Sequence, residues 1–522
     1  MAENILSGPR RLTIAAAVAV AVAVPLLVTG PAAAAITCPN PTAPMRFAPK
    51  KLIDQNRAGG EPSIQSLEDG TLLYASHAGT THFYTPAGSD TTTQAFIANY
   101  EGQTYIWRST DDGQTWTFIP RTVPTNVPAS GFSDPDFAID EAGNIYYSEI
   151  NLINIAVSSS ADAGQSFTLQ NFFGEVLTDR QWSEADEEGV LYITGNATGG
   201  GTFPTKPVGN SGHFIYKSVD GGKTFTAGKA ISGGLGDIKV DKRDGTVYEA
   251  NLQNGLLWMS ILRNARDGDL EPIQRLIAPE VNMLGHWPAI DIDDVGNLYI
   301  TWDESGRGGR PAGIYYSYST DRGMTWATAV RVDTDDRTDT WPWIAVGDPG
   351  RVAIAWLEAE ESLPRHNAET EGAHGWRIAA AQTLSGLGCD FSPTPGFTAT
   401  NMTAERVHSG TICQGGTFCQ AELVDRRLGD YFTIDIDTKG MLVAAYSDTS
   451  EGGAVSLPGF SRQNGGPSFL AADGAEGPRV LGGRTGPAPL PRTGIGDGWV
   501  ALLAVILVFG SLAMRRWSAR GV

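Results

Sequence analysis

The chain has 522 residues, with 63 glycines, 30 prolines, 18% charged residues and a formal net charge of -20. That acidity excludes a nucleic-acid partner, because phosphate binding needs a basic surface. So many turn-formers, with few charges and no long apolar helical run in the middle of the chain, indicate an all-β protein built from short strands.

At the N-terminus, Arg10 and Arg11 precede the apolar run LTIAAAVAVAVAVPLLVTG and the small residues PAAAA. A basic region, an apolar core and a small-residue cleavage site make a secretory signal, so residues 1–35 are expected to be removed on export. A retained membrane anchor is the other reading. Cys38, Cys389, Cys413 and Cys419 all lie in the exported part, and an even count in an oxidising compartment implies two disulfides. Three pairings are open. Cys413 with Cys419 closes a short loop in TICQGGTFCQ, which leaves Cys38 for Cys389. No Cys/His spacing fits a zinc site.

From residue 61 onward a pattern recurs: a β-rich run, an acidic turn with Gly, then a second run containing Tyr or Trp. It reads EPSIQSLEDGTLLYAS (61–76), DPDFAIDEAGNIYYSE (134–149), RQWSEADEEGVLYITG (180–195) and GDIKVDKRDGTVYEAN (236–251). It continues as WPAIDIDDVGNLYITW (287–302), WPWIAVGDPGRVAIAW (341–356) and GDYFTIDIDTKGMLVAAY (429–446), seven hairpins in all. A second motif, Ser-x-Asp-x-Gly-x-Thr/Ser-aromatic, follows copies one, two, three and five, with its aspartates at Asp111, Asp162, Asp220 and Asp321. Each unit therefore holds a hairpin, a third strand ending at the box and a fourth strand after it. Four strands per repeat stacked radially make a β-propeller over residues 36–470. MRFAPKKLIDQ (45–55) is the segment expected to close the ring as outer strand of the last blade. The irregular GGAVSLPGFSRQNGGPSFL leaves that blade hard to delimit. Residues 357–427 read as an insertion whose stapled loop leads to the last inner strand.

These boxes resemble the Asp-box (bacterial neuraminidase) repeats of the sialidase superfamily, where the motif is structural. Each Asp accepts backbone N–H bonds from its turn, the Gly turns left-handed and the aromatic packs beneath. Sialidases have six blades; the seven hairpins favour seven here. For a hydrolase, the resemblance implies three arginines gripping a sialic carboxylate, a Tyr nucleophile relayed by a Glu, and an Asp acid/base. The nearest match to the family's Phe-Arg-Ile-Pro-like motif is MRFAP, with Arg46. Arg180, Arg427, Tyr431 and Asp134 are the catalytic candidates by position.

Inner strands of a propeller begin around the central channel, where ligand sites gather. Glu61, Asp134, Asp179, Arg180, Asp237, His286, Trp341 and Asp430 hold those positions and are the ligand-binding candidates. Acids that converge at a low-dielectric mouth must be neutralised. One way is a cation such as Ca²⁺, with Asp134, Asp237 and Asp430 as ligands; the other is solvent, backbone N–H groups and Arg180, Arg426 or Arg427. Two functions stay open for a monomeric propeller. It binds a glycan or another extracellular ligand at a mouth lined by Trp182, Trp287, Trp341, Trp343 and Tyr431, or it is an exo-glycosidase of sialidase type.

At the C-terminus, LPRTG (490–494) precedes an apolar stretch from Trp499 to Met514 and then Arg515, Arg516 and Arg520. This order resembles the LPxTG sorting signal of Gram-positive wall proteins. It implies that residues 490–522 are read by a sortase, which cuts between Thr493 and Gly494 and joins the chain to peptidoglycan. The apolar stretch is short for a permanent span, which needs about 20 residues; a simple tail anchor is the alternative. Residues 471–489, rich in Gly and Pro, read as a spacer. The expected location is the cell wall or surface of a Gram-positive bacterium.

Overall fold

The computed structural model describes Cys38 and residues 43–470, apart from 78–103, 121–132, 151–153, 175–177, 199–201, 204–205, 208–210, 235, 279–280, 282–285, 287, 307–309, 363–374, 391, 414–423 and 452. Seven antiparallel sheets of four or five strands follow one another along the chain, with a small hairpin of Thr202–Phe203 and Lys206–Pro207 within the third, and no helix occurs among the described residues. Six sheets run in simple order from an inner to an outer strand, beginning at Gly60–Ser66, Ser133–Ile139, Thr178–Ala185, Ile238–Asp241, Ala289–Ile292 and Asp339–Val346. The seventh begins at Thr433–Ile436, continues through Leu442–Asp448 and Leu457–Gly465, and is completed by the N-terminal segment. There Arg46 pairs with Gly465 and Lys51 with Phe460, so the first strands of the chain close the ring. The expected closing segment is the one used, and seven blades, not six, form the circle.

Two expectations are corrected. The irregular stretch after residue 448 contains the nine-residue strand Leu457–Gly465. Most of the supposed insertion at 357–427 is blade structure: Gly375–Thr383 and Thr398–Asn401 are the third and fourth strands of blade 6. That blade lacks a box between those strands, so only its strands could have announced it.

Within a blade the inner strand descends from the mouth, the second returns and the third descends again. Ser66 and Ser109 therefore lie level across Leu72, at the end opposite Glu61. The four boxes sit at this far end, in the turn after the third strand, and their bonding repeats. Ser109 Oγ (2.8 Å) and Thr115 N (2.8 Å) donate to Asp111 Oδ1, and Thr115 Oγ1 (2.6 Å) donates to Oδ2. Asp162, Asp220 and Asp321 are held in the same way. Burial opposes ionisation, but these donors hold each carboxyl below its ordinary range. The box glycine has a second role. Gly113 and Gly164 have φ of 77° and 75°, and a Cβ there would meet Phe460 at 2.2 Å and Leu73 at 2.5 Å, side chains of the preceding blade.

The blades are held together by apolar layers between sheets. Trp107 and Tyr74 pack with Phe460 and Val443 across the closure between blades 7 and 1, and Trp302 and Ile300 pack with Met259 and Ile261 between blades 4 and 5. Burying each such aromatic contributes on the order of 2–3 kcal/mol. The Cys38–Cys389 disulfide, one of the expected pairs, ties the N-terminal segment to blade 6. Cys413 is also disulfide-bonded, and its expected partner Cys419 lies outside the described residues.

Candidate functional site

Four of the seven inner strands do not enter the mouth in ordinary extended conformation. Glu61, Asp134, Arg180 and Trp341 all have left-handed backbone, with φ of 45°, 54°, 59° and 57°. Each sits inside a register shift, between Gly60 and Ser63, Ser133 and Asp136, Asp179 and Trp182, and Thr340 and Trp343. A β-bulge re-aims the side chain it carries. A non-glycine residue in this conformation costs on the order of 1–3 kcal/mol and persists only where its surroundings enforce it. Four such residues stand at equivalent places at the mouth, while Asp112, Ala163 and Arg322 share the conformation in the box turns.

The re-aimed side chains form an ionic cluster. Arg180 contacts Asp430, lies 3.3 Å from Asp134 Oδ1 and 3.7 Å from Glu61 Oε1. Arg426 binds Asp430 through both terminal nitrogens, one at 2.7 Å, and also lies 3.7 Å from Glu61 Oε1. His77 Nε2 lies 2.8 Å from Glu61 Oε2. Glu61, His77, Asp134, Arg180, Arg426 and Asp430 are each less than a tenth exposed. Burial opposes the charge on Asp430, but Arg180 and Arg426 outweigh it and hold the carboxyl below its usual range. Asp134 moves the other way: burial, with Glu61 and Asp179 nearby, raises it well above the usual range against the pull of Arg180. Three carboxyls thus face two guanidinium groups.

Across the mouth, His286 Nδ1 lies 2.6 Å from Asp303 Oδ2, which also accepts from Thr340 Oγ1 (2.7 Å) and Trp341 N (3.0 Å). The Trp341 indole N–H donates to His286 Nε2. Trp341, His286, Trp343, Asp430 and Tyr431 line one shallow cavity, so this pair and the ionic cluster border the same space.

Trp182, Trp343 and Tyr431 form a triangle with ring centroids 5.1, 5.1 and 6.1 Å apart. These three aromatics pack on one another rather than presenting free faces, and Trp287 lies outside the described residues. Deeper still, Lys239 lies 2.9 Å from Glu184 Oε1 and 3.7 Å from Asp237 Oδ1. Burial raises Asp136 and Asp291 to about 7 and Asp237 and Asp435 to about 6, with Lys239 pulling each back.

The sequence candidates are therefore only partly brought together. Glu61, Asp134, Arg180 and Asp430 meet, with His286 and Trp341 across the cavity. Asp179 is exposed and caps the Arg180 N–H at 3.1 Å. Asp237 lies one layer deeper, 3.7 Å from Lys239, because its strand pair runs without a register shift and nothing re-aims the side chain toward the mouth. The calcium set Asp134, Asp237 and Asp430 is consequently not assembled, since Asp237 and Asp430 have cationic partners of their own. Arg427 turns away to Asp425 and the Gly453 carbonyl. Arg46 lies in the outer strand of the closing blade, not at the mouth. Tyr431 donates its hydroxyl to the Pro135 carbonyl at 3.1 Å, and burial, with Asp134 and Glu61 near, raises it well above the ordinary phenol range. Among the described residues, the three arginines and exposed tyrosine of a sialidase site are not assembled. His77, Asp303 and Lys239 were missed by sequence reading, and Arg426 was weighed only as a counter-charge. A polar residue closing the second strand of several hairpins (His77, Glu149, Asp303, Asp448) was the available signal.

No family model matches the chain. It is 25% identical over 147 residues to an exo-alpha-sialidase of Aspergillus fumigatus, a match covering 24% of this chain and 36% of that enzyme, so it spans about a third of that relative's length. Among solved structures it is similar to the NanB sialidase from Streptococcus pneumoniae, at 13% identity over 80% of this chain and 70% of that one, with a TM-score of 0.39. It is also similar to the phage phi92 endosialidase, at 11% identity over 85% and 72% of the two chains, with a TM-score of 0.42.

Proposed function

We propose that the protein is a carbohydrate-recognition propeller that takes a glycan at the central mouth. The observation that carries this reading is that four left-handed, non-glycine residues, Glu61, Asp134, Arg180 and Trp341, stand at equivalent register shifts where their inner strands begin. A dry cluster of carboxylates and guanidinium groups beside an indole offers both acceptors and donors to sugar hydroxyls, and such bonds strengthen where water is excluded. The partial likeness to an exo-alpha-sialidase supports a sugar as ligand class. Binding of the full chain to an immobilised glycan panel is expected, and Glu61→Gln, nearly isosteric, is expected to weaken it about tenfold. Binding that Glu61→Gln leaves unchanged would place the ligand elsewhere.

A second reading, hydrolysis, is favoured by one feature: Glu61 and Asp134 form a pair of adjacent buried carboxyls, in which burial and Glu61 raise Asp134 well above the usual range, as a proton donor requires. Turnover of a fluorogenic sialoside that Glu61→Gln abolishes would replace the binding reading with this one.

The proposal extends to location. The signal at 1–35, the propeller at 36–470, the spacer at 471–489 and the LPxTG-like signal at 490–522 support a monomer exported and joined to peptidoglycan by a sortase. The two signals lie outside the described residues. Mass spectrometry of wall digests is expected to find Thr493 as the last residue, linked to a peptidoglycan fragment; chains ending in Val522 in the membrane fraction would favour a tail anchor.

A further inference from the structure

We propose that Glu61, His77 and Asp134 bind a single divalent transition ion, of the zinc or manganese kind, at the mouth. All three side chains are buried, and one donor atom from each lies within 4.8 Å of the other two, a spread that ligands of one ion can close. Glu61 and His77 come from the paired first and second strands of blade 1, where Gly60 faces His77, and Asp134 comes from blade 2. The ion would staple two blades.

The division of oxygens is what points to an ion. Glu61 Oε1 faces Arg180 and Arg426, each at 3.7 Å, while Oε2 lies 2.8 Å from His77 Nε2. Asp134 Oδ1 faces Arg180 at 3.3 Å, and Oδ2 is buried with no N–H or hydroxyl donor reaching it among the described residues; the Glu61 carboxyl lies beside Asp134, so a shared proton or a shared cation has to hold the two acids together. The arginines thus face one oxygen of each carboxylate, while Glu61 Oε2 lies beside His77 Nε2 and one carboxyl oxygen of Asp134 lies within 4.8 Å of that pair's donor atoms. A buried carboxylate oxygen without a donor is costly; a cation shared with the neighbouring imidazole supplies the missing partner. Charge permits it as well. With all three carboxyls ionised, as a bound cation would hold them, Glu61, Asp134 and Asp430 against Arg180 and Arg426 leave the cluster negative by one charge when His77 is neutral, the form in which it ligates.

The donor set selects the ion. One imidazole nitrogen with two carboxylate oxygens suits zinc or manganese, whereas calcium takes six to eight oxygens and no nitrogen. A calcium site drawn from the whole acidic ring is not available, because Asp237 and Asp430 are matched to Lys239 and to the two arginines.

This inference does not rest on the glycan reading, since its test uses the metal alone. Zinc chloride and manganese chloride, titrated calorimetrically into the chelator-treated full chain, are expected to show one site and to raise the melting temperature. His77→Ala and Asp134→Asn are each expected to weaken binding by about tenfold or more, with unchanged circular dichroism. Asp134→Asn keeps the shape of the side chain and carries the test if His77→Ala does not fold. No heat and no thermal shift with either metal would overturn the proposal, as would undiminished affinity in the folded variants or tighter binding of calcium than of zinc and manganese.

Discussion

Replacing Arg180 with methionine is expected to lower the unfolding free energy by about 3–5 kcal/mol, read as a shift in urea midpoint at unchanged slope. The size follows from what the guanidinium leaves behind. Arg426 still covers Asp430 and one oxygen of Glu61, but among the described residues only Arg180 forms an ion pair with Asp134. A buried carboxyl without its counter-ion costs more than the pair gained, so the loss reflects an uncovered desolvation penalty rather than a lost attraction. Methionine suffers the same left-handed backbone as arginine at φ 59°, so the variant isolates charge from strain. Adding Asp134→Asn to Arg180→Met should recover part of the loss. If the double variant is no more stable than the single one, buried charge is not the cause.

Lys239→Met is expected to do little at pH 5 and to destabilise by several kcal/mol at pH 8. Asp136, Asp237, Asp291 and Asp435 all have raised folded-state values, about 7, 6, 7 and 6, and Lys239 is a restraining influence on each. A carboxyl whose folded pKa is raised contributes stability that is full below its unfolded value near 4 and is lost as pH climbs through the folded value. The native protein is therefore expected to lose stability as pH rises from roughly 4 to 7, and every tenfold weakening of a carboxyl's acidity on folding accounts for about 1.4 kcal/mol of that loss. Without the lysine those values rise further, so the decline steepens and continues to higher pH. The Asp boxes act in the opposite sense but only below about pH 4, since their values are lowered. Thermal melts of both proteins at pH 5, 6.5 and 8 measure this; equal losses at all three would rule out the lysine as the anchor of the acidic ring.

The candidate site was half legible. Glu61, Asp134, Arg180, His286, Trp341 and Asp430 could be named because each hairpin begins at the channel, so counting back from the turn locates the mouth. Asp237 was misplaced because blade 4 lacks the bulge that aims Glu61, Asp134 and Arg180, and alternation then carries its aspartate one layer down. His77 and Arg426 were obscured for another reason. His77 meets Glu61, 16 residues away, only because the register shift in blade 1 re-aims Glu61, and Arg426 reaches Glu61 only across the ring closure, which depends on which blades become neighbours.

What the amino-acid order determined by itself was everything local and repeated: the strand pairs, the Asp boxes with their turn hydrogen bonds, the number of blades and the segment that closes them. The hairpins and box turns depend on residues close together in the chain, and seven repetitions of the hairpin leave one segment over to close the ring, where Arg46 pairs with Gly465. Only the tertiary structure decided which acid meets which base. That outcome depends on four strained residues turning their side chains inward, and on the closing of the circle, which brings Asp430 against Arg180 across 250 positions of chain. Charge pairing is settled by ångström-scale distance in a dry interior, and no periodicity in the chain encodes it.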